Sequence, residues 1–383
     1  MARKKIDQNP PIKITYEQED SKFYNMPTSP AMDLWTKTLG TDGDIAKLQA
    51  NEKTTRAGVQ YDLREMGTQR RIVATKGDTE TTLIIPNIDK LKGSNKGVKK
   101  IFLYTLIAIN EQAFSVDTDT GAGKLRQTYV TFPLKALVQA GLYSNIVSAR
   151  TGFNRAMKVL NEQFSISGTT ALNKGKKKIV TQGIVSSPFD NTYGIKNGQC
   201  VIGLSANFNF ELLALYYTII PKYCFSLKIN AFDLLYTIFY LARQNVDKIK
   251  EQGFFNINLD TVRARLGLPT PAEVKNRKYQ QYIKTPIEQA IVEIEDTCKD
   301  SNFTITPIYD ENGSIADYLS RGYLKIGMAG DYAEAFIARA TDKAEQIEKA
   351  QQKKEKAEEM ARARALQKLA KSQKATETDD KDQ

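Results

Sequence analysis

The sequence predicts an α+β fold in which one module is used twice, between a flexible polar N-terminal arm and a charged helical tail. Three observations carry this. The apolar stretch LYTLIAINEQ at 103–112 returns as LYTIFYLARQ at 235–244, with Leu, Tyr, Thr and Gln in the same places, and internal repetition of this kind governs the architecture. The segments that follow the two copies repeat in type and order. The chain has 383 residues and is 41% hydrophobic, enough for two cores plus tails.

Residues 1–70 are polar, lack long apolar runs and carry Pro10, Pro11, Pro27 and Pro30, which predicts an arm. From Arg70, RRIVATKGDTETTLIIPN predicts two short strands around a Gly-Asp turn, opening a first module at 71–200. In its repeated helix Phe102, Leu106 and Ile109 recur at i, i+4 and i+7 with Leu103 and Ile107 beside them, a wide apolar arc that predicts a buried helix. Leu234, Ile238 and Leu241, with Leu235 and Phe239, repeat the arc in a second module at 201–330.

The first helix leads through the β-rich TYVTFPL to a short helix ending in AGL at 140–142, then to GFNRAMKVL. The second leads through FFNINL to a short helix, N-capped by Asp260 and ending in LGL at 266–268, then to PIEQAIVEI. Phe153, Ala156, Met157 and Leu160 match Ile287, Ala290, Ile291 and Ile294 in amphipathic spacing. Hairpins should follow, FSISGTTALNKGKKKIVTQGIVSS in one copy and FTITPIYDENGSIADYLSRGYLKIGM in the other, with Asn-Lys-Gly and Glu-Asn-Gly turns. Helix, strand, helix, helix, hairpin is the order of a winged helix, so tandem winged helices are expected. The joining segment VIGLSANFNFELLALYYTIIPKYCFSLK is apolar where a loose linker would be polar, which predicts rigid packing between modules. Residues 331–383 are rich in Ala, Glu and Lys with nearly balanced charge; they predict a solvated helical tail, with too few Leu and Ile heptads for a coiled coil.

Fifty-five Lys and Arg against 44 Asp and Glu leave a net charge of +11, which suits a polyanionic partner. The three cysteines, Cys200, Cys224 and Cys298, are odd in number and far apart, and MARKKIDQNP holds no apolar stretch; a reduced, cytoplasmic protein is expected. No window approaches the ~18 consecutive apolar residues of a membrane span, so no membrane partner is expected. The chain has no His, which excludes a Ser-His-Asp triad, a Cys-His pair, a Cys2His2 zinc site and the His-rich metal centre of many nicking enzymes. TGAGKL at 120–125 lacks the spacing of a phosphate loop. No cofactor, metal or catalytic residue is therefore expected.

A winged helix sets its third helix in the major groove and its hairpin on neighbouring backbone. The polar face of that helix in module one offers Arg150, Asn154, Arg155 and Lys158; Arg can read guanine and Asn adenine. A merely solvated face remains an alternative for each residue singly. Lys174, Lys176, Lys177 and Lys178 cluster at the expected hairpin turn, suited to phosphate. In module two the matching stretch holds Lys275, Arg277, Lys278, Gln281 and Lys284. Beyond it Glu288, Glu293, Glu295 and Asp296 would repel phosphate, as would Asp310 and Glu311 at the second wing, so the modules should contribute unequally.

The run VIGLSANF, INAFDLLYTIFYLARQ, INLDTVRARLGLP, YQQYIKTPIEQAIVEIED and TITPIYDENGS resembles the second half of the iteron-binding plasmid replication initiators, which consist of two winged helices. The resemblance covers about 200–328; the first half matches in pattern. It implies binding to tandem origin repeats in double-stranded DNA, opening of an adjacent AT-rich region and recruitment of host helicase or initiator proteins. A homodimer that represses its own gene beside a monomer that initiates is also implied. Family members carry several arginines just before the apolar part of the second recognition helix; the matching Ile283, Lys284 and Thr285 keep one charge, at Lys284. The expected function is therefore replication initiation by sequence-specific DNA binding. The rivals are a transcriptional repressor on the same scaffold, a rolling-circle nicking initiator using Tyr with a carboxylate-held metal, and a helicase-loading or scaffolding protein acting through the C-terminal helix.

Overall fold

The computed structural model describes residues 22–27, 53–56, 59–66, 69–76, 79–85, 96–119, 124–163, 165–171, 189–204, 217–274, 278–311 and 313–338. The elements are mixed helix and sheet, an α+β architecture.

Strand β1 (Phe23–Pro27) is followed by β2 (Lys53–Arg56), β3 (Val59–Met66), β4 (Gln69–Lys76) and β5 (Thr79–Ile85). The last four form an antiparallel meander that crosses the predicted edge of the arm at residue 70. Residues 53–56 and 59–66 are thus sheet rather than arm. No long apolar run marks them, because a strand covered on one face needs only every second residue apolar: Tyr61 and Leu63 are buried, and Leu63 pairs with buried Ile72.

Helix α1 (Lys96–Gln112) is the first repeated helix, with Phe102, Leu103, Leu106, Ile107 and Ile109 all buried. It leads into the hairpin β6 (Ala113–Asp119) and β7 (Lys124–Pro133), then α2 (Leu134–Gln139) and α3 (Ile146–Gln163). Next, β8 (Ser165–Ala171) joins the edge of the meander beside β5, completing a sheet of order β2-β3-β4-β5-β8. Of the hairpin expected at FSISGTTALNKGKKKIVTQGIVSS, residues 165–171 form β8, one edge of which pairs with β5; residues 172–187 lie outside the described residues.

A hairpin of described residues follows, β9 (Phe189–Lys196) and β10 (Gln199–Leu204). Its turn is Asn197-Gly198 with φ of 52° and 74°, the paired positive φ that Asn-Gly supplies at least strain. Strand β10 lies between β7 and β9 in a sheet of order β6-β7-β10-β9. VIGL thus belongs to module one, and the connection between modules begins after Leu204.

Strand β11 (Tyr217–Pro221) pairs with β1, and a 3₁₀ turn (Lys222–Ser226) leads to α4 (Ile229–Ala242), the second repeated helix. Then come α5 (Val246–Gln252), β12 (Phe254–Asn258) and α6 (Leu259–Arg265). The N-cap of α6 is Asn258, whose side chain accepts from the Asp260 N–H at 2.8 Å. Asp260, expected as the cap, instead accepts from buried Arg263 at 2.7 Å. A π-helical turn (Gln280–Lys284) opens onto α7 (Thr285–Cys298), and β13 (Phe303–Ile308), α8 (Ile315–Arg321) and β14 (Tyr323–Met328) follow. The sheet order β12-β14-β13 parallels β7-β10-β9, with the last strand of each module in the centre.

Residues 330–338 form a helix, α9, with Tyr332 and Phe336 3% and 1% exposed. The start of the predicted tail is therefore core: Phe336 lies 5.8 Å from Phe239 and Tyr332 stacks on Phe303 at 5.4 Å. Two aromatics one turn apart were masked by the charged residues around them. The rest of the tail, 339–383, lies outside the described residues. Both modules share one continuous apolar core. Among the described residues no helix is long and apolar enough to cross a membrane.

Candidate nucleic-acid interface

Ala149, Phe153, Ala156, Met157 and Leu160 turn one face of α3 into the core, each at most 1% exposed. The 3.6-residue period leaves Arg150, Thr151, Asn154, Arg155 and Lys158 exposed on the other. Four of the sequence-predicted site residues thus share one outward surface.

Local chemistry fixes how that surface is presented. Gly141, at φ +80°, makes the left-handed turn between α2 and α3, and a Cβ there would come within 2.8 Å of the Ser226 backbone. The turn is therefore seated against the 3₁₀ turn of the inter-module connection. A Cβ at Gly152 would collide with the Tyr143 ring, so glycine lets Tyr143 pack against α3. Burial pushes the Tyr143 phenol up, while neighbouring Arg155 pulls it down. Asn145 accepts from the Ser148 N–H at 2.8 Å, satisfying one of the free donors at the start of α3.

Lys174, Lys176, Lys177 and Lys178 lie outside the described residues, in the segment between β8 and β9. The turn between β9 and β10 carries exposed Lys196, Asn197 and Gly198. Sequence reading missed Lys196, although Asn-Gly between apolar strands is the strongest short-range hairpin signal.

In module two Lys278 and Gln281 are exposed on and beside the π-helical turn, with Tyr282 47% exposed, while Lys275 and Arg277 lie outside the described residues. Lys284 is turned inward. Its Nζ lies 4.5 Å from the Tyr309 ring centre, 5.8 Å from that of Tyr318 and 3.8 Å from Glu288. The side chain is 19% exposed, and Glu288 also accepts from the Tyr309 hydroxyl at 2.9 Å. Lys284 thus fastens the start of α7 to Tyr309, just after β13, and to Tyr318 of α8, rather than standing out into water as a groove contact would, and a cation beside two π faces and a carboxylate is held there.

The outer face of α7 is acidic and apolar, with Glu295, Asp296 and Val292 exposed. Burial first, then adjacent Asp296, raises the Glu295 carboxyl. Glu293 accepts from the Lys228 N–H at 2.6 Å, closing the start of α4. Among the described residues no group of three or more Cys, Asp or Glu is arranged to hold a metal.

No protein-family model and no curated protein matches the chain. Comparison with solved structures finds domains 2 and 3 of RctB. The structure of its selenomethionine derivatives covers 77% of this chain and 99% of that one, at 10% identity and a TM-score of 0.35. A second RctB structure, of the same two domains, covers 76% and 98% at 10% identity and a TM-score of 0.34. At such values the functional reading rests on this chain's own residues.

Proposed function

We propose that the chain is a sequence-specific double-stranded DNA-binding protein of two winged helices, which initiates replication of a plasmid or similar mobile element. It binds origin repeats, promotes local duplex opening and recruits host replication proteins, without catalysis of its own. The observation that carries DNA binding is the outward surface of α3: two arginines, a lysine and an asparagine on a helix whose other face is locked in the core. Such a helix fits the major groove, where an Arg fork matches guanine O6 and N7 and an Asn amide matches adenine N6 and N7. Lys196, at the hairpin turn, is suited to backbone phosphate, which positions the reader without specifying sequence.

The parallel sheet orders of the two modules support tandem winged helices. Initiation, as distinct from binding, is supported by the ordered motif set at about 200–328 that resembles the iteron-binding initiators. The acidic face of α7 and the inward Lys284 make the second module the weaker reader, engaging through Lys278 and Gln281 ahead of that helix. Selection of full-length protein against a random duplex pool, followed by footprinting, tests binding. Maintenance of a replicon carrying the selected repeats, with and without the gene, then separates initiation from repression: loss of the replicon supports the proposal, and unaltered maintenance with altered transcription overturns it.

A further inference from the structure

Two large apolar side chains stand in water at the start of α3: Val147 is 75% exposed and Ile146 43%. The core does not need Val147, because Ala149, Phe153, Ala156, Met157 and Leu160 already fill the buried face. The helix does not favour it either, since a β-branched residue is a weaker helix former than Ala. Val147 lies one turn before Arg150 and Thr151 and two turns before Asn154, on the same outward surface, and the Asn145 cap holds that first turn in place.

We infer that Val147 reads the 5-methyl group of a thymine in the major groove. This rests on the DNA-binding reading above and names what the apolar part of that surface recognises. Thymine presents in the major groove a methyl group that no other standard base carries, and an apolar side chain is its complement. Residues at the N-terminal end of a groove-bound helix are the ones that reach base edges. The cations beside the valine, Arg150, Arg155 and Lys158, favour a polyanion over an apolar protein surface as the occupant.

The test uses full-length protein and the duplex it selects from a random pool, with each thymine in turn replaced by deoxyuridine. That change removes one methyl and leaves the hydrogen-bonding pattern intact. At one or two positions it should weaken the wild-type protein about fourfold, the scale of burying a single methyl group. Val147→Ala should bind the parent duplex correspondingly less well and be indifferent to deoxyuridine at the same position. Because the site is exposed and Ala favours helix, the variant should match wild type in circular dichroism and melting. The inference is overturned if no thymine is sensitive, or if Val147→Ala keeps the sensitivity; the apolar pair would then face a protein. Failure to enrich any duplex would overturn the DNA-binding reading itself, an outcome distinct from enrichment without methyl dependence.

Discussion

The Lys99 ammonium lies 2.6 Å from the Asp233 carboxylate, both side chains 1% exposed, joining the first helix of one module to the first helix of the other. The ammonium also faces the Tyr236 ring at 4.7 Å. Such a pair specifies which surfaces meet more than it adds to stability. Lys99→Met or Asp233→Leu alone strands a buried charge and should cost about 3–5 kcal/mol, whereas the double variant should recover most of the loss. Denaturant unfolding of the four proteins checks this; additive losses would show that the two charges do not act together.

Cys200 is fully buried and its thiol is pushed up to about 12 by burial; burial also raises fully buried Cys224. Cys298 is partly exposed. At pH 8 a thiol of pKa about 12 holds roughly one part in ten thousand as the reactive thiolate. Brief alkylation of the native protein should therefore modify Cys298 alone, and alkylation in denaturant all three, as read by peptide mass spectrometry.

On the DNA side, Asn154→Ala and Arg155→Ala should each lose roughly 1–3 kcal/mol on the selected duplex and relax preference at one base position. Lys196→Ala should weaken all duplexes alike and flatten the slope of log K against log salt by about 0.9, the signature of one phosphate contact. Titrations at several salt concentrations distinguish the two behaviours.

Lys284→Ala should act on the fold instead. Loss of its contacts with Tyr309, Tyr318 and Glu288 should lower stability by about 0.5–2 kcal/mol, while the salt slope of DNA binding stays unchanged. A reduced slope with unchanged stability would return Lys284 to the phosphate contacts.

Incubation with supercoiled origin DNA, Mg2+ and ATP should give neither nicked product nor hydrolysed nucleotide. A covalent tyrosyl-DNA adduct on denaturing gels would establish the nicking mechanism in place of the one proposed.

The repeat was legible because its apolar arcs depend only on helical period, which Phe102 to Ile109 and Leu234 to Leu241 share. The partner of a strand was not. Ser-Ile-Ser in β8 alternates polar and apolar residues as Thr-Ile-Thr does in β13, and alternation says which face is covered but not which neighbour supplies the hydrogen bonds. The pairing of β8 with β5, some eighty residues earlier, is such a neighbour. IKNGQCVIGL holds the turn of β9 and β10, but its apolar run resembles a connection more than a strand covered by helices. Of the candidate site, the α3 face followed from spacing alone. The inward turn of Lys284 did not, because it depends on Tyr309 and Tyr318, far along the chain.

Strand β1 pairs with β11, and Phe23 lies edge-on to Tyr332 at 5.1 Å while Lys22 reaches Asp331 at 2.8 Å. The start of the described chain is thus completed by residues made near its end. During synthesis, β1 must wait for β11 while some two hundred residues emerge, and its aromatic seat is finished only after Phe336. Contacts so distant along the chain delay folding, and a strand edge waiting for its partner is open to association with other chains in the interval. A polypeptide released before Asp331 would lack the Tyr332 and Phe336 rings that pack on Phe23, Phe239 and Phe303, leaving that aromatic cluster open on one side.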